Sequence, residues 1–162
     1  PVFVELKKKY DGVVYKRRLS MEYGAAIAYL CYGVPMETEQ PQIDEEIQWF
    51  RQQHPGLQPA MVICYERDSF FCPQDENLRI TFDTQLRYRQ EDLSLTHGAY
   101  GRLLFPADVY LMELKCYGAM PVWLSRLLSD SHIYPASFSK YGRAYTQMMA
   151  QEDAKGGKYH VS

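Results

Sequence analysis

Hydrophobic and polar residues alternate one by one at the start of the chain, as they do along a β-strand with one buried face. In residues 2–9 most apolar positions share one face, and the charged positions share the other. An Asp-Gly pair at positions 11 and 12 predicts a hairpin turn. The β-rich residues 13–19 predict a second strand, on which Lys16 and Arg18 share a face.

Further along, the pattern changes between helical and strand periods. Apolar residues at helical spacing predict helices over residues 21–32, 43–53, 121–128 and 139–151. Alternating segments predict further strands over residues 60–67, 78–89 and 110–117. Trp49 and Trp123 stand in predicted helices with apolar neighbours, which predicts that both rings lie in the core.

These elements predict an α+β fold, with a largely antiparallel β-sheet and helices packed outside it. A length of 162 residues is enough for one compact domain, and the sequence contains no internal repeat or linker. We therefore predict a single domain over residues 1–152 and a flexible tail over residues 153–162.

The charge is distributed unevenly along the chain although its total is small. The net charge of -2 argues against a general nucleic-acid-binding protein. Residues 1–18 hold six basic and two acidic side chains, whereas residues 37–46 hold five acidic and no basic ones. No apolar run approaches the roughly 20 residues of a membrane span, and the cysteines lack disulfide or zinc spacing. The sequence therefore predicts a cytoplasmic protein with reduced cysteines.

Several predicted strands carry opposite charges on one face. Such faces are either solvated, as is usual in antiparallel sheets, or turned toward each other around a basic lumen. A basic lumen would suit a polyanion and a divalent metal, with basic side chains on the phosphate oxygens and a glutamate on the metal. The charge pairs are Glu5 with Lys7, Arg79 with Asp83, and Glu113 with Lys115.

Five segments occur along the chain in this order: V-F-V-E-L-K-K-K, V-V-Y-K-R-R, L-R-I-T-F-D-T-Q-L-R-Y-R, Y-L-M-E-L-K-C-Y and S-F-S-K-Y-G-R-A-Y. Together they resemble the VTC domain, the polyphosphate polymerase domain of the vacuolar transporter chaperone complex and its bacterial relatives. That family belongs to the triphosphate tunnel metalloenzymes. The resemblance runs from Val2 to about Tyr145.

The resemblance implies part of a tunnel-like barrel whose walls bind phosphate. The basic residues that it assigns to catalysis and substrate binding are Lys7, Lys16, Arg18, Arg79, Lys115 and Lys140. It assigns the metal to Glu113. Glu5 is either a second metal-binding carboxylate or an ion-pair partner of Lys7, and we favour the ion pair. Lys140 is predicted near a helix N-terminus, where backbone N–H groups also favour anions.

The activity that the resemblance implies is metal-dependent phosphoryl transfer. ATP would be the substrate, Mn²⁺ or Mg²⁺ the metal, and a growing polyphosphate chain the acceptor. Two alternatives stay open. The first is a hydrolase that cleaves triphosphate or polyphosphate, and the second is a non-enzymatic module that binds polyphosphate or an inositol phosphate.

Complete VTC domains have an earlier part, with an initial helix and further basic strands, that has no counterpart before Val2. We expect that part to be supplied by preceding residues or by a partner chain, and the tunnel of this chain alone to be open on one side. The implied activity is therefore that of the full-length protein. Because eukaryotic VTC domains are attached to membrane proteins, the resemblance also allows a membrane partner, although this chain has no span of its own.

Overall fold

A computed structural model describes residues 1–11, 13–73 and 75–156. These residues form an α+β fold with antiparallel sheets, which confirms the predicted fold class. The strands are β1 (Val2–Tyr10), β2 (Val13–Met21), β3 (Val62–Cys72), β4 (Asp75–Arg89), β5 (Arg102–Leu103) and β6 (Leu111–Cys116). The helices are α1 (Tyr23–Tyr32), α2 (Pro41–Gln53), α3 (Val122–Asp130) and α4 (Lys140–Gly156).

The chain divides into two compact units, Pro1–Pro59 and Ala60–Ser162. The first contains a two-stranded sheet of β1 and β2, and the second contains a four-stranded sheet of β3, β4, β5 and β6. In the described parts of the chain these sheets do not close into a barrel, so the tunnel stays a prediction. The single domain over residues 1–152 also stays a prediction.

The first unit is a β-hairpin that packs one face against two helices. β1 and β2 pair along their whole length, from Val2 opposite Met21 to Tyr10 opposite Val13. Asp11 in the turn has a φ of 47°, the left-handed conformation that short hairpin turns require. Gly12 of the predicted turn lies outside the described residues. The buried core residues are Val4, Leu6, Leu19, Met21, Ala26, Tyr29 and Ile47.

In the second unit, β4 is the central strand. β3 pairs with one edge of it, and the other edge is shared between β6 and β5. A β-bulge separates the two halves of β4, because Gln85 and Leu86 together lie opposite the single residue Tyr65 of β3. Gln85 has a φ of 49°, and the extra residue changes which positions of β4 share a face.

The bulge puts a polar and an apolar part of β4 on the same face of the sheet. Asp83 pairs with Arg67, and Tyr88 pairs with Ile63. Arg67 and Ile63 share a face because they are an even number of positions apart on β3. Asp83 and Tyr88 therefore share it too, although five positions separate them. At the apolar end, α4 covers this face in a core of Leu86, Tyr88, Leu104 and Ala144.

Several sequence-based boundaries and burial predictions differ from the structure. Trp49 and Trp123 are each 57% exposed, so the prediction that they lie in the core is wrong. Each helix has one narrow buried stripe, and Ile47 and Leu124 occupy it. The two-residue strand β5 was too short to predict from periodicity.

The C-terminal helix α4 continues past the predicted end at residue 151 to Gly156. The rest of the predicted tail, residues 157–162, lies outside the described residues. None of the four cysteines, all of which are described, forms a disulfide. No helix in the described ranges is both long and apolar enough to cross a bilayer.

Candidate functional site

The first unit carries a charged face on its hairpin, opposite the core. Lys7 pairs directly with Lys16, and Glu5 pairs with Arg18, so the four side chains lie on one face. The Glu5 carboxylate lies 3.2 Å from the ammonium group of each lysine. The Arg18 guanidinium lies over the Phe3 ring, 4.6 Å from its centroid. The face therefore holds three cations around one carboxylate.

Glu5 forms the ion pair that the sequence favoured, and it does so with two lysines. Burial opposes ionisation of Glu5, but hydrogen bonds from Lys16 and Lys7 outweigh it and hold the pKa of Glu5 below its ordinary value. Both carboxylate oxygens lie 3.2 Å from an ammonium group, and the Glu5 side chain is only 22% exposed, so a metal ion has less access to it than to Glu113, which is 43% exposed. The metal-binding alternative for Glu5 is therefore the weaker one.

The second unit carries a polar face on β3, β4 and β6. Strand pairing places three residues side by side in each of three rows across this sheet. Side chains that lie opposite each other on paired strands point to the same face, so the polar ones converge. The rows are Arg67–Asp83–Leu111, Ser69–Thr81–Glu113 and Phe71–Arg79–Lys115.

Asp83 is the most buried charged group of this polar face, with 0% of its side chain exposed. Arg67 donates two parallel hydrogen bonds to it, from Nε to Oδ1 at 2.5 Å and from Nη2 to Oδ2 at 2.8 Å. Lys140, the first residue of α4, reaches Oδ2 from above with its Nζ at 2.7 Å. The same two cations lie 5.0 Å and 4.7 Å from the centroid of the Tyr65 ring.

These contacts keep Asp83 ionised in spite of its burial. Burial raises the pKa of a carboxyl group, but the hydrogen bonds from Arg67 and Lys140 outweigh that effect, and the pKa of Asp83 lies below its ordinary value. The hydrogen bonds that Arg67 donates to Asp83 likewise raise the pKa of Arg67. Asp83 and Arg67 are therefore both charged at neutral pH.

Glu113 is the second carboxylate of the polar face and lies closer to solvent. Its oxygens lie 3.1 Å from the Lys115 ammonium group and 3.7 Å from Nη2 of Arg67. Burial opposes ionisation of Glu113, but the hydrogen bond from Lys115 outweighs it and lowers the pKa of Glu113. Arg67 therefore bridges the two carboxylates, Asp83 and Glu113.

Arg79 and Asp83 share the polar face, as the sequence predicts, but Asp83 forms its ion pairs with Arg67 and Lys140. The Arg79 guanidinium lies 5.1 Å from the centroid of the Phe71 ring. Its Nε is buried without a hydrogen-bond partner among the described residues. Arg79 therefore takes no part in the contacts that hold Asp83.

Sequence reasoning found most residues of this face but missed Arg67 and the role of Asp83. The predicted strand ended at residue 67, whereas β3 continues to Cys72. With the strand ending at Arg67, its pairing with Asp83 on the neighbouring strand could not be predicted. The signal was present in the alternation of residues 65, 67, 69 and 71, because the odd positions of β3 share the face of Asp83.

Glu113 is the residue of this face that fits a divalent metal best. In the described parts of the chain no three His, Cys, Asp or Glu residues cluster closely enough to form a metal site. Mg²⁺ is commonly held by one or two carboxylates, with substrate phosphates and water completing its shell. Glu113 therefore fits a divalent cation that takes its other ligands from a triphosphate and from water. Among the described residues, no two further carboxylate, histidine or cysteine side chains lie beside it to complete a site made of protein ligands alone.

The chain matches the family model of the VTC domain over residues 1–149. It belongs to the VTC domain family. This family is related to polyphosphate polymerases, so the chain has a polyphosphate-related function. No curated protein matches the chain.

All the predicted site residues lie within the matched range of this VTC domain. The structure brings them together as two groups, one in each unit. The hairpin of the first unit groups Glu5, Lys7, Lys16 and Arg18. The sheet of the second unit, with the N-terminus of α4, groups Arg79, Glu113, Lys115 and Lys140 with Arg67 and Asp83.

Proposed function

We propose that this VTC domain binds a nucleoside triphosphate and a polyphosphate chain, and that it transfers the γ-phosphoryl group of ATP to that chain. Family membership supports a polyphosphate-related activity. The observation that carries the proposal is the polar face of the second unit, which holds four cations and two carboxylates, with three of the cations in ion pairs. The four cations are Arg67, Arg79, Lys115 and Lys140.

The excess of positive charge on both units supports a substrate with several phosphates. Arginine forks bind two phosphate oxygens at once, and lysine binds as a point charge. The cations of the hairpin, Lys7, Lys16 and Arg18, would contact phosphates in the same way. The tunnel that the family resemblance implies is part of the same proposal.

The reaction requires little covalent work from the protein. A terminal phosphate oxygen of the polyphosphate attacks the γ-phosphorus of ATP, the bond to the β,γ-bridging oxygen breaks, and ADP leaves. The basic side chains orient the two chains in line and neutralise the charge on the transferred group. Glu113 would hold Mn²⁺ or Mg²⁺, and the bound cation would supply further charge neutralisation on the phosphates.

Product analysis tests the proposal. The protein at its natural length is incubated with γ-labelled ATP, polyphosphate primer and Mn²⁺, and the label is followed by gel electrophoresis. We expect label in long phosphate chains and an equal yield of ADP. Label that appears only as free phosphate would identify a hydrolase, and binding of polyphosphate without any product would identify a binding module.

Two features of the cellular setting belong to the same proposal. A cytoplasmic location would give the site access to ATP and Mg²⁺. A membrane protein is proposed as a partner on the basis of the family resemblance. Fractionation of cells that express the tagged protein, with and without detergent, would separate a freely diffusing protein from one held at a membrane.

A further inference from the structure

We propose that Asp83 is a positioning residue of the phosphate-binding face, which holds Arg67 and Lys140 in the orientation that receives phosphate oxygens. This inference rests on the proposed function. In this proposal Asp83 does not touch substrate, because its side chain is fully buried. It acts through two cations that come from different elements, one on β3 and the other at the N-terminus of α4.

Asp83 engages only part of each cation. An arginine side chain has five N–H donors, and two groups of Arg67 bond Asp83, Nε and Nη2. The ammonium group of Lys140 has three donors, and its bond to Asp83 uses one. The side chains of Arg67 and Lys140 are 28% and 21% exposed, so part of each remains open to a ligand.

Asp83 also restricts the conformational freedom of both cations. Arginine and lysine have the largest side-chain entropies, and a ligand that must order them binds more weakly. Asp83 orders both before any ligand arrives, with three bonds of 2.5 to 2.8 Å. The Tyr65 ring supports the same two cations from another side. The pair is therefore preorganised.

The position of Asp83 opposes simple charge attraction between this face and a phosphate ligand. A carboxylate beside two cations lowers the positive potential that attracts a polyphosphate. If charge alone decided affinity, removal of the Asp83 charge would tighten phosphate binding. If positioning decides it, the same removal weakens binding. The sign of the change therefore distinguishes the two roles.

The experiment compares Asp83→Asn with the wild type by calorimetric titration with inorganic tripolyphosphate. Asparagine keeps the size of aspartate but loses its charge and one acceptor oxygen. The matched control is Asp68→Asn, which removes the same charge from an exposed position on the opposite face of β3. We expect about tenfold weaker binding for Asp83→Asn and less than about twofold change for Asp68→Asn.

A double-mutant cycle tests whether Asp83 acts through its cations. In the background of Lys140→Met, one of the two groups held by Asp83 is absent, so we expect the loss caused by Asp83→Asn to shrink to about threefold. A purely structural role would give the same loss in both backgrounds. Thermal unfolding followed by circular dichroism identifies any variant that fails to fold.

Should Asp83→Asn fail to fold, Arg67→Lys and Arg79→Lys provide the second comparison. Both substitutions keep the positive charge, but only the first breaks a two-point grip on a carboxylate. We expect Arg67→Lys to weaken tripolyphosphate binding several-fold more than Arg79→Lys. Equal losses in the two variants would overturn the positioning role.

The outcomes separate this inference from the proposed function. A wild-type protein that does not bind tripolyphosphate would overturn the phosphate-binding function together with the role of Asp83. A wild type that binds, with equal or tighter binding by Asp83→Asn, would overturn the positioning role alone. Weaker binding by a folded Asp83→Asn, with Asp68→Asn unchanged, supports it.

Discussion

The two units differ in how deeply the carboxylate of their charged face is buried. Each has a sheet face on which a carboxylate lies between two cations. In the hairpin, Lys7 and Lys16 beside Glu5 are 63% and 51% exposed. In the second unit the acid, Asp83, is completely buried beneath its cations.

This difference in burial decides how firmly the cations are held. Exposed ion pairs contribute little stability, because water competes for both charges and long side chains lose entropy. A buried carboxylate has no water to replace a lost partner, so its contacts must be kept. The hairpin therefore offers mobile positive charge, and the second unit offers positive charge at fixed positions.

The largest expected effect concerns Glu113, the second carboxylate on the polar face of the second unit. Glu113→Gln removes the carboxylate that would hold the metal, and we expect metal-dependent turnover to fall about 100-fold or more. The measurement is the initial rate of phosphate-chain synthesis across a range of Mn²⁺ concentrations. Glu5→Gln is the control from the charged face of the hairpin. A similar loss of turnover in both variants would contradict the assignment of the metal to Glu113 alone.

The next effect is on folding. Asp83→Ala leaves Arg67 and Lys140 without their shared partner, and we expect the free energy of unfolding to fall by about 3 kcal/mol. Urea denaturation measures it. Glu5→Ala, the equivalent change on the hairpin, is expected to cost less than about 1 kcal/mol. Equal costs would show that the burial of Asp83 does not set the strength of its contacts.

The acid dependence of stability sharpens the same comparison. The folded-state pKa of Asp83 lies below its ordinary value, so its contribution is complete above the ordinary pKa of about 4 and is lost as the pH falls through the folded value. We expect urea midpoints of the wild type to drop below pH 4, and a shallower drop in Asp83→Asn. Parallel pH profiles would contradict this assignment.

Ligand affinity gives a smaller effect. Lys140→Ala removes a fixed cation, and we expect binding of a triphosphate to weaken about tenfold. Calorimetry at a fixed salt concentration measures it, and unchanged affinity would remove Lys140 from the phosphate site.

The smallest effect is expected from the mobile cations. Lys7→Ala should weaken binding about threefold, with a loss that decreases as salt is added, because exposed charges are screened. A loss as large as that of Lys140→Ala, and independent of salt, would indicate that the hairpin lysines are fixed as well.

Local periodicity was enough to predict the charged face of the hairpin. The alternation in β1 and β2 places Lys7, Lys16 and Arg18 together, and a two-residue turn fixes their register. The pair of Glu113 with Lys115 was predictable for the same reason, since both lie on one strand.

The buried centre of the second unit was not predictable from local rules. The contact between Arg67 and Asp83 depends on where β3 ends and on its register with β4, and neither is encoded in either strand alone. Lys140 reaches the same carboxylate only because α4 lies over the sheet. Its place near a helix N-terminus was predicted, but its partner was not.

The bulge at Gln85 has a consequence for how this sequence can diverge. Because of the bulge, the polar side chain of Asp83 and the apolar side chain of Tyr88 lie on the same face of the sheet. Substitutions on either side can accumulate separately, because charge is needed before the bulge and volume after it. A single-residue deletion there would turn every later side chain of β4 to the opposite side. We therefore expect homologues to vary in the residues around this point while the number of residues between them stays constant.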